Sequence, residues 1–354
     1  MTYRWQPRRG RLDTIQRLRA ARSRGLTLIE LLVAMLLGLI VVMATVAALT
    51  VARRGFTTVD AASQLRDSGR FASDLIQRIG VQAGYLDVAF AAVQRKTAGN
   101  PAPNVSGFNN ATVDAADPLG SSIARSTSVV GYGSDILILR YQASQLHTFS
   151  DDATLKSVSD QTMIDCAGNP VATVADLDSA DARDQKMASI FHVDLKQGEP
   201  TLMCTYPDPA VPGSFKTASL VQGVEQFQVL YGVDGVTPGT APASGAPHPD
   251  LPTAYLRADQ MVVSGDAAGT NANWRRVRSV RIGMVLRSAP GATQINEATD
   301  LYPFGVAKDA ATSGNVGGVF KSTDDKGSTF TTPVDNRLRQ VVTLTIHFRN
   351  DQSL

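Results

Sequence analysis

Residues 22–32 read Arg-Ser-Arg-Gly-Leu-Thr-Leu-Ile-Glu-Leu-Leu, and an unbroken apolar run follows as far as Ala52. From Leu26 to Ala52 there is no Lys, Arg, Asp, Asn, Gln or His, and Glu30 is the one charge. At ~1.5 Å per residue this stretch makes a helix roughly 40 Å long, enough to cross a hydrocarbon core of ~30 Å. A carboxylate inside such a span costs up to about 3 kcal/mol on insertion scales, so it calls for a partner. The nearest cation is the amine that a cut after Gly25 would create at Leu26.

The residues ahead of that cut carry eight Arg and one Asp. So strong a positive excess keeps a leader on the cytoplasmic side and sends the C-terminal bulk across the membrane. An ordinary secretory signal has an apolar core of about 7–15 residues. The core here is longer, although Thr45-Val46-Ala47-Ala48 mimics a small-residue cleavage site. A plain signal anchor accounts for the span but leaves Glu30 without a reason.

The chain has 354 residues and a formal charge of +2. About 300 residues follow the span, ample for a buried core. Losing the leader removes eight of the 34 basic and one of the 32 acidic side chains, leaving 26 against 31 and a net charge of about −5. A net-acidic mature chain is a poor general binder of nucleic acid. Cys166 and Cys204 are the only cysteines. Both fall in the part that the leader's charge sends across the membrane, where oxidation is permitted, so a single bridge is expected. It would close a loop of about 39 residues, contributing roughly 4 kcal/mol by chain-entropy reasoning.

Past Arg53-Arg54-Gly55, apolar or small residues recur at Phe56, Val59, Ala62, Leu65, Ala72, Leu75, Ile76 and Ile79. Steps of three and four make one stripe, so the helix continues to Gly80–Gly84 and packs there on a core. Gly69 within it costs about 1 kcal/mol relative to Ala. Lys96–Ser128, rich in Ala, Asn, Pro, Gly and Ser, reads as a long loop. Strand patterns follow at Asp135–Gln142 and Arg276–Arg287, with a hairpin formed by Ser189–Leu195 and Thr201–Tyr206. Ser219–Val233 holds one long run, Val224–Tyr231. Val236–Pro252 and Ala289–Pro333 read as mostly loop. In Arg337–Arg349, Val342, Leu344, Ile346 and Phe348 alternate with Thr343, Thr345 and His347, a strand with one buried face. The expected fold is α+β: a long N-terminal helix, its first half membrane-spanning, packed on an antiparallel β-rich head. The expected division is a leader at 1–25, the spanning half of the helix at 26–53, its amphipathic half at 54–84 and the head at 85–354.

Gly25-Leu26-Thr27-Leu28-Ile29-Glu30-Leu31 resembles the cleavage and N-methylation motif of type IV prepilins and type II secretion pseudopilins. Leu26 departs from the Phe usual at that place. The resemblance implies cutting after Gly25 by a membrane-embedded prepilin peptidase, methylation of the new amine at Leu26, and neutralisation of that amine by Glu30 during filament assembly. Leu220–Gly232, Val277–Ser288 and Arg337–Asn350 narrow the likeness to the PilW family of minor pilins, related to the J-type pseudopilins. It covers 22–80 and roughly 219–350. By that resemblance the chain is a minor pilin that helps initiate a type IV pilus and enters its tip, serving twitching motility or adhesion. The implied partners are the peptidase/methyltransferase, other minor pilins, the major pilin, a tip adhesin and the inner membrane. A J-type pseudopilin, or a membrane-anchored periplasmic binding protein or enzyme, are the alternatives.

No hydrolase, zinc-protease or phosphate-loop motif occurs. His147, His192, His248 and His347 are scattered. The acidic run Asp176, Asp178, Asp181 and Asp184 lacks the Gly of a calcium loop and reads as a solvated loop. Arg275, Arg276, Arg278 and Arg281 form a basic cluster, with at least two expected to face solvent. No catalytic residue, metal ligand or cofactor site is expected, and the chain reads as non-enzymatic.

Overall fold

The computed structural model describes residues 25–87, 99–127, 129–146, 158–172, 182–243, 245, 251–293, 297–305 and 328–350. The chain divides into two compact units, residues 1–55 and 56–354. One helix, α1, runs from Leu28 to Gln82. It ends where Gly84 takes a left-handed φ of 79°, a conformation that Gly adopts without a Cβ penalty.

The second unit is built from antiparallel strands: β1 (Val105–Phe108), β2 (Ala111–Val113), β3 (Ser122–Ala124), β4 (Ile136–Tyr141), β5 (Met187–Lys196), β6 (Glu199–Pro207), β7 (Phe215–Gln222), β8 (Val224–Val233) and β9 (Ala254–Leu256). Two short helices, α2 (Ala258–Met261) and α3 (Ala267–Trp274), precede β10 (Val277–Arg287). The two-residue strands β11 (Asp300–Leu301) and β12 (Phe330–Thr331) lead to β13 (Arg339–His347). A five-stranded sheet has the order β1-β4-β5-β6-β7, and a four-stranded sheet the order β13-β10-β8-β9. The fold is therefore α+β, a long apolar-headed helix with an antiparallel β-rich head.

The amphipathic reading of the helix holds from Ala62 onward. Leu65, Ala72, Ile76 and Ile79 enter a core shared with Leu137, Phe191, Leu202, Phe227, Ile282 and Ile346. Phe56 and Val59 do not. They are 76% and 70% exposed, so the stripe at its start is not a core face. Gly69 and Gly80 explain how the rest seats. A Cβ at Gly69 would lie 2.7 Å from Cγ2 of Val342, and one at Gly80 would lie 2.9 Å from two carbons of Ile346. The two glycines stand about three turns apart, on one face. They let the helix backbone settle directly onto the inward side chains of β13. The entropic cost of Gly69 in a helix is thus the cost of close packing.

The hairpin of β5 and β6 turns at Gln197-Gly198, with φ of 53° and 82°, as a two-residue turn of the twist-matching kind requires. The long run expected at Val224–Tyr231 is β8, and the residues ahead of it belong to β7, in the other sheet. Gly223, at φ 83°, separates β7 from β8. Its N–H donates to Pro200 O and its carbonyl accepts from Arg287 N, both at 2.7 Å, so it is held by one strand of each sheet. A Cβ there would lie 2.5 Å from Arg287 O. Asp135 makes a second joint: its Oδ2 accepts from Val229 N at 2.8 Å and its Oδ1 from Asn110 N at 2.9 Å.

One loop expectation is corrected: the described part of Lys96–Ser128 carries β1, β2 and β3. The described part of Ala289–Pro333 is mostly loop, as expected, with the two-residue strands β11 and β12. These strands are too short to show a periodic signal. The helix α3, Ala-Ala-Gly-Thr-Asn-Ala-Asn-Trp, has no apolar stripe to announce it, but Asp266 caps it by accepting from Gly269 N at 2.8 Å. The basic cluster does not face solvent. Arg276 and Arg278 are buried and Arg275 and Arg281 half-buried. Arg275 donates to Pro101 O at 2.9 Å and Arg281 to Phe304 O at 3.1 Å, so guanidinium groups tie loop carbonyls to β10.

Adding bulk at the seat should be costly, and adding it to an open helix position should not be. Gly80→Val is expected to destabilise the head by about 1–3 kcal/mol through overpacking against Ile346. Gly55→Ala, with nothing within 4 Å of the new methyl, is expected to gain about 1 kcal/mol of helix propensity. Thermal unfolding of the two variants beside wild type checks both. Equal melting temperatures for Gly80→Val and wild type would contradict the seating.

Candidate functional site

The residues singled out at the N-terminus occupy the start of α1. Gly25 and Leu26 lie just ahead of the helix and are exposed. Thr27 is its cap. Glu30 Oε2 accepts from Thr27 N at 2.9 Å and from Thr27 Oγ1 at 3.0 Å, while Glu30 N donates back to Thr27 Oγ1 at 3.3 Å. This is a reciprocal capping box, Thr-x-x-Glu, which satisfies donors that the first helical turn leaves without partners. The pattern Thr-x-x-Glu is legible in residues 27–30 of the sequence. The carboxylate therefore has a local partner before any amine is made. Both bonds go to Oε2, which leaves Oε1 open among the described residues.

Beyond the box the helix is apolar and exposed on every side from Leu31 to Ala52. Its two hydroxyls are satisfied internally: Thr45 donates to Val41 O, and Thr50 to Val46 O at 2.7 Å. A segment with no open polar group and no buried face suits hydrocarbon or the flanks of similar helices.

Cys166 and Cys204 form the expected bridge, with Cα atoms 5.8 Å apart. Both are buried in the main core. The bridge fastens the segment 158–172 to β6. His192 is also buried, with Nε2 at 2.9 Å from Thr205 Oγ1. Burial pushes its pKa down to about 4, against the opposing pull of Asp194, with Arg125 adding to the drop. It is a neutral core residue at neutral pH, and the hydroxyl it meets is itself tied to Thr217 Oγ1 at 2.8 Å. His347 lies exposed on β13. His147, His248, Asp176, Asp178 and Asp181 lie outside the described residues. Among those described, no group of three or more potential ligands is placed to hold a metal.

One constellation escaped the sequence reading. Three arginines and three acids alternate in a chain of contacts: Arg337 to Glu199 at 3.0 Å, Glu199 to Arg287 at 2.9 Å, Arg287 to Glu225 at 3.0 Å, Glu225 to Arg339 at 2.7 Å, and Arg339 to Asp335 at 2.7 Å. It ties the β5–β6 hairpin to β8, the end of β10 and the start of β13. The hydrogen bond from Arg337 is the main reason that the Glu199 carboxyl titrates below its usual range, and that from Arg339 does the same for Asp335. Charges so far apart in sequence show no local signal. These arginines belong to the segments on which the family likeness rests, and the network gives a physical reason for them.

Comparison with known proteins fits this anatomy. Residues 190–350 match the family described as Type IV Pilus-assembly protein W, PilW. Residues 20–46 match the prokaryotic N-terminal methylation motif. None of the curated proteins matches the chain. Among solved structures, a type IV-like pilin from Thermus thermophilus aligns with a TM-score of 0.33 and 9% identity, covering 81% of this chain and 98% of that one. The likeness to type IV pilin-like proteins and to the PilW family rests on the two sequence matches, which fall on separate stretches. They point to a structural, non-enzymatic protein, anchored in a membrane by its apolar helix and associated with pili.

Two measurements probe the head. Cys204→Ser should lower its stability by a few kcal/mol, on the order of 4, and non-reducing peptide maps of wild type should show one linked pair and no free thiol. Alkylation of both cysteines in native, unreduced protein would contradict the bridge. Glu225→Gln leaves Arg339, whose side chain is 5% exposed, without full charge compensation, and should cost about 3 kcal/mol in denaturant unfolding. Glu199, 38% exposed, should cost under about 1 kcal/mol when changed to Gln.

Proposed function

We propose that this chain is a minor pilin, processed by prepilin peptidase between Gly25 and Leu26 and methylated at Leu26. It then helps to initiate a type IV pilus and is incorporated at its tip. Before assembly it is held in the inner membrane by residues 26–53, with the head in the periplasm. Its partners are the peptidase/methyltransferase, other minor pilins, the major pilin and a tip adhesin.

The observation that carries this reading is the geometry at Glu30. The capping box keeps the carboxylate at the helix start and spends only one of its oxygens. Cutting after Gly25 places a new amine one residue ahead of Thr27, within a helical turn of Oε1. Opposite charges that meet in hydrocarbon cost far less than either alone. The pairing serves within a chain, or between chains once their apolar helices are staggered. The exposed helix supplies the surface for that stagger.

Processing is tested by mass spectrometry of the mature N-terminus, which should read N-methyl-leucine. Retention of Met1, or a terminus near Ala48, would end the prepilin reading. Assembly is tested by two substitutions that separate capping from charge pairing. Thr27→Val removes the cap oxygen and keeps the carboxylate. Glu30→Ala removes both functions while leaving the span more apolar. Both proteins should insert and be cleaved. Fractionation into membrane and sheared pili should show Thr27→Val in the pili near wild-type level and Glu30→Ala absent from them. Equal loss in both variants would assign Glu30 to capping alone and overturn the pairing.

A further inference from the structure

A cavity of about 470 Å³ opens on the head between the start of β1, the loop at 119–122, α2 and α3. Trp274 forms part of its wall, held from behind by Tyr231, whose ring meets the indole edge-on at 4.7 Å between centroids. Phe108, Leu119 and Val262 add apolar surface, and Asn271 a polar atom. The cation in the wall is Arg140, on β4.

Arg140 is unusual. Its side chain is buried, with the whole residue only 7% exposed. Its guanidinium donates to Pro103 O at 3.1 Å, Ser106 Oγ at 2.8 Å and Leu119 O at 3.5 Å. All three are neutral acceptors, and among the described residues no carboxylate pairs with it. Arg125, another buried arginine, feels Asp194 and Asp135. For Arg140, burial alone pushes the pKa down to about 10, with no acid opposing it. The one carboxylate on the cavity wall, Asp259, is already engaged by Arg257, through two bonds of 2.9 Å. A buried cation lacking a counter-charge is expensive, and supplying that charge is what a bound anion does. Planar guanidinium donors suit a carboxylate. A cavity of this volume, mostly apolar with one fixed polar anchor, has the make-up of a small-molecule site.

We propose that this cavity binds a small organic monocarboxylate with a flat apolar body, its carboxylate on Arg140 and its body against Trp274. The site lies wholly within the head and does not depend on the chain's role in a filament. A ligand there would bridge the 103–122 segment and α3, so occupancy would stiffen that end of the head.

The test uses the full chain in detergent with Trp5→Phe, which leaves Trp274 as the only tryptophan. Phenylacetate is titrated while the Trp274 emission is followed, with phenylacetamide as the neutral isostere and acetate as the carboxylate without a body. Phenylacetate should give a saturable change and bind at least tenfold more tightly than either control. Arg140→Gln should lose that preference for phenylacetate over phenylacetamide. Val262→Trp, a change at a half-exposed rim position, should block binding by filling the mouth, and it decides the matter if Arg140→Gln fails to fold. For that variant the blockage is read by calorimetry, since it adds a second tryptophan. No saturable signal with phenylacetate, equal affinity for phenylacetamide, or undiminished binding in Val262→Trp would each overturn the proposal and leave Arg140 as a clamp on loop carbonyls.

Discussion

The contact between α1 and β13 governs the head. At Gly69 and Gly80 the helix backbone comes so close to Val342 and Ile346 that an added methyl would lie under 3 Å from them. The missing side chains allow the last strand to run beneath the helix, and the core fills around that line with Leu65, Ala72, Ile76 and Ile79. Close approach increases dispersion contacts over the whole interface. β13 thus fastens α1, and the main core is complete only once β13 has joined.

Two joints and one network make the sheets a unit. Gly223 is held by β6 on one side and β10 on the other, and Asp135 splices the start of β4 to β8. The alternating chain of arginines and acids then binds the end of β10 to the start of β13 and the β5–β6 hairpin. Such ion pairs add less net stability than hydrophobic contacts of equal size, but removing one member strands its partner. They therefore select one register of β13 on β10 more than they deepen the fold.

The two ends of α1 follow different rules. The upper half is amphipathic, with its partner surface inside the same chain. The lower half is apolar all round and exposed along its length. A helix of that kind is completed by lipid or by other helices. The capping box at Thr27 and Glu30 closes its start without help from any other segment.

Local signals decided what the sequence determined. The apolar run, Gly25 and Glu30, the three- and four-residue steps from Ala62 to Ile79, the alternation in β13 and the β5–β6 hairpin all lie within a few residues of one another, and each was legible. The cysteine pair was legible because there were only two. The tertiary structure alone decided the rest. The break at Gly223, which sends β7 and β8 into different sheets, is set by partners on β6 and β10 that lie elsewhere in the sequence. Arg275, Arg276 and Arg281 looked solvated because their carbonyl partners, on Pro101, Asp234 and Phe304, are far away in sequence. Phe56 and Val59 carried the right period but have no surface to meet. Glu199, Glu225, Arg287 and Arg339 gain meaning only when four strands come together. Arg140 was one ordinary residue of a strand until folding buried it beside a cavity with no acid to match. Periodicity reports which residues could share a face, and only packing settles what that face touches.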